Sequence, residues 1–272
     1  MHVLITPQDQ TPSRKKLPTK SLVTLGVAAC AAPVVMIAAG FMGSHDNSDG
    51  DRTHRTEING QNLRLDDPIS GDVNGVAVWF HGQGGRADTR MNEDWLNSLR
   101  EQGWAVASGD LAGESWGNQA GVDAVGDLVR WAEEETGNPV KLLVAGSMGG
   151  LTSLNALAQG EVSAQCWYGT MPVLDQTTVG NVPDADSQIN AAFNGSVPVQ
   201  FIPTEAELPV MQYRVVASPG DTWVPKAKNA DRLAEVVPSG AVLSDLSVNG
   251  EHGDASHFSA ADLTQFAAGC TT

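Results

Sequence analysis

Positive charge is scarce in this 272-residue chain: 16 lysines and arginines face 32 aspartates and glutamates, for a net charge of −16. So acidic a surface repels phosphate backbones and anionic headgroups, which excludes nucleic acid as a partner and an anionic membrane surface as a docking site. Cysteine is scarce too, with three in all. There is no closely spaced His/Cys cluster to hold a metal and no glycine-rich loop with a lysine to cradle a phosphate, so neither metal nor cofactor is expected. Internal repeats are absent. What is present, 41% hydrophobic residues in a chain of this length, suffices for one α/β domain and a tail.

The tail holds an uncharged stretch. Arg14, Lys15, Lys16 and Lys20 precede residues 21–42, which carry no charged side chain. Such a run is long enough to cross a bilayer, and its basic flank would stay in the cytoplasm and place the remainder outside. The expected organisation is a basic cytoplasmic segment over 1–20, a membrane-targeting helix over 21–42, a disordered polar linker over 43–56 and an α/β domain over 57–272. Three versions stay open: a retained signal anchor, a signal peptide cut near Ala38-Ala39-Gly40, and a lipoprotein processed at Cys30. All three export the domain. In an oxidising compartment Cys166 and Cys270 are either bridged or two separate thiols.

Beyond the linker the pattern alternates. Asn59-Gly60, at the centre of residues 55–65, predicts a hairpin. Residues 76–80 form a continuous apolar run, as a strand buried on both faces requires. Further strands are expected at 104–108, 142–144, 164–169, 211–217 and 241–248, with helices at 89–102, 122–135, 151–158, 225–237 and 260–268. Strand and helix in turn imply a doubly wound, mostly parallel sheet. Residues 171–208 carry prolines and glycines without a clear period, which predicts an insertion over a site, here a small lid.

One turn concentrates small residues. Ala145-Gly146-Ser147-Met148-Gly149 joins the 142–144 strand to the following helix, with Ser147 at the apex. Small neighbours are needed because the serine backbone is strained there and a nearby Cβ would clash. The pattern resembles the Gly-x-Ser-x-Gly nucleophile elbow of α/β-hydrolases, with alanine in place of the first glycine. The other parts of that family's machinery have counterparts at strand ends, in the order serine, acid, histidine. Asp221, shortly before Val224-Pro225, resembles the acid; Asp175 is a weaker alternative, and Asp110, which precedes the serine, is read as structural or cleft-lining. His252, in Gly250-Glu251-His252-Gly253, resembles the base, with His257 as rival. His81-Gly82-Gln83-Gly84-Gly85 resembles the oxyanion loop, which implies the backbone amides of Gln83 and Met148 as donors.

The resemblance covers about residues 60–270. It implies a serine hydrolase that cleaves carboxylic esters through an acyl-enzyme, acting on small-molecule or envelope esters outside the cytoplasmic membrane. Trp116 and Trp223 are the candidates for an apolar acyl pocket, with Asn118 and Met148 beside it. A serine peptidase or amidase of the same fold is the alternative, and would want a carboxylate such as Glu114 or Glu251 for a free amino terminus. A non-catalytic binding protein on a hydrolase scaffold is the third reading, and it would need none of these elements.

Overall fold

A computed structural model describes residues 52–271 except 70, 72 and 206. The expected basic segment, membrane-targeting helix and most of the linker lie outside the described residues. Among the described residues no helix is long and apolar enough to cross a membrane.

The strands are β1 (Thr53–Ile58), β2 (Gln61–Asp66), β3 (Gly75–Phe80), β4 (Trp104–Gly109), β5 (Val140–Gly146), β6 (Cys166–Thr170), β7 (Gln212–Ala217) and β8 (Val242–Ser247). They form one sheet in the order β1-β2-β4-β3-β5-β6-β7-β8. β2 is antiparallel to β1 and β4, and the remaining pairs are parallel. The expected hairpin is there because both turn residues accept left-handed φ, 52° at Asn59 and 80° at Gly60. β3 and β4 are buried at every residue, which is why their apolar runs do not alternate.

The helices are α1 (Asp94–Glu101), α2 (Gln119–Thr136), α3 (Gly149–Gln159), α4 (Ala185–Phe193), α5 (Leu233–Val236) and α6 (Ala260–Ala268). On one face of the sheet Trp95, Leu99 and Leu263, from α1 and α6, pack with Trp79, Trp104 and Tyr168. On the other face Val125, Leu128 and Leu154, from α2 and α3, pack with Val78, Phe80 and Trp167. Each such side chain, fully buried, contributes on the order of 2–3 kcal/mol. Cys166 in β6 is bridged to Cys270 just after α6, with Cα atoms 5.9 Å apart across a sequence separation of 104. By loop-closure entropy a bridge of that span stabilises the fold by about 4–5 kcal/mol.

Two expected helices are shorter than their apolar patterns. The helix expected over 89–102 begins only at Asp94, because Arg90 takes φ +62° and residues 88–93 fold as turns. The helix expected over 225–237 breaks at Asn229 into 3-10 turns and the four-residue α5. Buried Asn229 accepts hydrogen bonds on Oδ1 from the Leu174 and Asp175 amides and donates from Nδ2 to Thr178 Oγ1. Those three bonds reach another segment and hold a backbone angle that a helix cannot accommodate. Residues 171–208, the expected lid, contain α4 and three 3-10 turns.

Candidate active site

The carboxyl ends of β3, β5, β7 and β8 open onto one cleft of about 310 Å³. At its floor stands Ser147, between β5 and α3, with φ +50°. That left-handed angle is costly for a residue with a side chain and persists only where the surroundings enforce it. Here the Ser147 N–H donates to Thr170 O at 3.2 Å, and its carbonyl accepts from the Gly150 and Val173 amides. Gly149 is required for packing: a Cβ there would lie 2.2 Å from the carbonyl oxygen of Phe80, so α3 starts pressed against the end of β3. Ala145 is fully buried in β5, where its methyl joins the core without disturbing the turn.

His252 and Asp221 meet the serine. His252 Nε2 lies 2.9 Å from Ser147 Oγ, and His252 Nδ1 lies 2.7 Å from Asp221 Oδ2. An ionised carboxylate can only accept, so Nδ1 carries the proton and Nε2 is free to accept from the serine hydroxyl. Asp221 is 5% exposed, and burial opposes its ionisation. The bond to His252 and the amides of Val224 and Trp223, both on Oδ1, outweigh that burial and hold the carboxyl below its ordinary range. Trp223 stacks on the imidazole, with centroids 5.7 Å apart, and Thr222 Oγ1 donates to Glu251 at 3.1 Å, tying the Asp221 loop to the His252 loop.

The rival residues go elsewhere. His257 is fully buried, with Nδ1 at 3.2 Å from Asp254 O and Nε2 without a partner among the described residues, and burial pushes its pKa down. Asp175 caps a 3-10 turn through the Thr177 amide. Asp110 accepts from the Asn62 and Ala87 amides and so pins the loop after β3 to the start of β2.

That loop is the His81–Gly85 stretch. It crosses the serine so closely that a Cβ on Gly82 would lie 3.2 Å from Ser147 Cβ. Neither the Gln83 amide nor the Met148 amide donates to an acceptor among the described residues. Gln83 itself is held by its side chain: Nε2 donates to Pro183 O and to Gln188 Oε1, both at 2.8 Å. Trp116 Nε1 donates to the same Gln188 oxygen at 3.0 Å. His81, fully buried beneath, has its pKa pushed down by burial.

Of the two tryptophans expected on the acyl pocket, Trp223 lines the cleft and is 42% exposed. Trp116 does not line it. It is 1% exposed and packs with Met148, Val179, Val182 and Ile189, because the α4 segment closes over it. Met148 is buried in the same cluster, and Asn118 caps α2 while donating to Ala192 O. The cleft wall includes residues that sequence reasoning missed: Trp79, Thr89, Arg90, Met171 and Val182. Trp79 sits in a strand that reads as pure core, and Thr89 and Arg90 sit in a pattern that reads as helix. Neither local signal points to a cleft.

No family model matches the chain, and no curated protein matches its sequence. In three dimensions it is similar to esterase B from Lactobacillus rhamnosis at 13% identity, with TM-score 0.62 over 82% of this chain and 87% of that one. It is similar to Est1E from Butyrivibrio proteoclasticus at 15% identity, with TM-score 0.62 over 80% of this chain and 98% of that one. A Mycobacterium tuberculosis puromycin-hydrolyzing peptidase is 15% identical with TM-score 0.64, and there the match covers 81% of this chain but 38% of the other. Together with the sheet order and the turn at Ser147, these likenesses give the architecture a name: the chain has the α/β-hydrolase fold.

Proposed function

We propose that the protein is a serine hydrolase that cleaves carboxylic esters through an acyl-enzyme, with Ser147 as nucleophile, His252 as base and Asp221 as its orienting acid. The observation that carries the reading is the unbroken chain of contacts from Ser147 Oγ through the imidazole to Asp221, at 2.9 and 2.7 Å. Ser147 Oγ attacks the ester carbonyl carbon while its proton passes to His252 Nε2, and Asp221 stabilises the imidazolium that forms. The oxygen of the tetrahedral adduct takes its charge facing the Gln83 and Met148 amides. Collapse breaks the bond to the alcohol, which departs with the proton from His252. Water then attacks the acyl-serine carbonyl with His252 as base, and the acid leaves as Ser147 regains its proton.

The wall of the cleft favours ester over peptide. Recognition of a free amino terminus wants a carboxylate, and among the described residues no aspartate or glutamate lines the cleft. Glu114 lies 3.5 Å from Arg86, and Glu251 bonds Thr222. Action outside the cytoplasmic membrane, with residues 21–42 as anchor or cleaved signal, is part of the proposal. The basic residues ahead of that stretch and the Cys166–Cys270 bridge support it.

The test is intact mass after exposure to a fluorophosphonate. One adduct on the parent chain and none on Ser147→Ala is expected. A folded parent that takes no adduct would overturn the reading in favour of a binding protein.

A further inference from the structure

Arg90 is the one fully charged side chain among the described residues of the cleft wall, in a chain whose acidic residues outnumber its basic ones two to one. Its backbone and one edge of its guanidinium are held in place. Its backbone sits at φ +62°, where a non-glycine residue needs support. Asp88 accepts from Arg64 Nη1 at 2.8 Å and Asn92 Oδ1 accepts from Arg64 Nη2 at 2.6 Å, so one buried arginine anchors the turn two residues to either side of Arg90. The intervening Thr89 carbonyl accepts from Trp79 Nε1 at 2.8 Å. The Arg90 guanidinium lies 3.9 Å over the Phe258 ring, and Nη1 donates to Glu93 at 2.6 Å. Nε and Nη2 have no acceptor among the described residues, although the side chain is only 29% exposed.

From this we propose that Arg90 is the specificity residue of the cleft and that it receives a carboxylate on the substrate, so that the preferred esters carry a free acid group. The proposal rests on the hydrolase reading of the same cleft and names its substrate class. The unused Nε–Nη2 edge is a two-donor fork whose spacing matches the two oxygens of a carboxylate. A single fork beside Glu93 would leave a phosphate dianion poorly compensated, which favours the monoanion. The Trp223, Met171 and Val182 side chains that share the wall suit the short apolar chain between the acid group and the ester. Elsewhere an acidic surface repels an anionic ester, so a fixed cation on the cleft wall is a selective device.

The experiment compares the p-nitrophenyl half-ester of glutaric acid with p-nitrophenyl pentanoate on the full chain, as a ratio of kcat/KM values. The parent is expected to favour the charged ester. Arg90→Gln is expected to lower the ratio about ten-fold, the size of one lost charge-assisted fork. Glu93→Gln removes the competing carboxylate and leaves Arg90 in place, so the ratio should rise. A ratio that Arg90→Gln leaves unchanged, or that Glu93→Gln lowers, overturns the proposal. If Arg90→Gln fails to fold, Glu93→Gln decides alone. Turnover of the pentanoate with an Arg90-independent ratio removes the carboxylate site only. Turnover of neither ester, with no fluorophosphonate adduct, removes the hydrolase reading and this one with it.

Discussion

The two walls of the cleft are built on different principles. One wall, made of Ser147, His252 and Asp221, stands on the turns that follow β5, β8 and β7, and backbone groups hold it: Thr170 O and the Val173 amide at Ser147, and the Trp223 and Val224 amides at Asp221. The other wall, with Gln83, Thr89 and Arg90, stands on the long loop between β3 and α1. It is fixed by side chains from far away in sequence, Arg64 from the β2 strand and Gln188 from α4. The proposed nucleophile and its partners are thus held mainly by backbone contacts at the strand ends, whereas the proposed oxyanion loop and Arg90 are held through long-range side-chain contacts. The second kind of contact is easier to cut.

The largest effect that separates the two is expected from Asp66→Ala. Asp66 is fully buried and bonds the Arg64 guanidinium through both carboxylate oxygens, at 2.9 and 2.7 Å. Removing it leaves Arg64 buried with less of its charge paired, at a cost of about 3–5 kcal/mol in denaturant unfolding. In the fraction that remains folded, the fluorophosphonate should still label Ser147 while the preference set by Arg90 weakens. Equal loss of labelling and preference would break the comparison.

A smaller effect is expected from Gln188→Ala, which frees the side chain of Gln83 from α4. We expect kcat to fall about ten-fold with little change in KM, because a displaced oxyanion donor is missed in the transition state and not in the ground state. Gln188→Glu keeps an acceptor for both Gln83 Nε2 and Trp116 Nε1 and should restore kcat. A rise in KM alone would place Gln188 in substrate binding instead.

The smallest effect concerns pH. Burial lowers the pKa of His81 and His257 below the ordinary 6.5. The unfolded chain then binds protons that the folded one resists, so stability should decline as pH falls below about 6.5 and be fully present above it. Asp221, held below its ordinary 3.8, adds a further loss only under about pH 4. Melting temperatures from pH 7 to 5 should fall less steeply in His257→Gln than in the parent. An identical slope would show that His257 is not among the groups responsible.

The wall of Ser147, His252 and Asp221 was legible because each of its parts carries a short local signature. A serine among small residues after an apolar run, a His-Gly in a glycine-rich loop and an aspartate before Val-Pro all concern neighbours in the chain. The hairpin at Asn59-Gly60 belongs to the same class, since its φ angles are a property of two residues. Trp116 misled because its neighbourhood, a polar loop after β4, says nothing of the α4 segment that buries it. The missing stretch of helix ahead of Asp94 and the break at Asn229 share a cause. In both places polar side chains bond partners that are remote in sequence, and those bonds outweigh a helical pattern worth a few tenths of a kcal/mol per residue.

By itself the sequence determined the strand–helix alternation, the turn that exposes Ser147 and the order in which serine, acid and histidine arrive, because hydrophobic period and backbone strain act over a few residues. Only the tertiary structure decided which histidine reaches the serine, that Cys166 meets Cys270, that Trp116 is covered and that Arg90 stands on the cleft wall. Those outcomes depend on which distant side chains satisfy one another's hydrogen bonds and exclude water together, a condition that exists only once the chain has closed on itself.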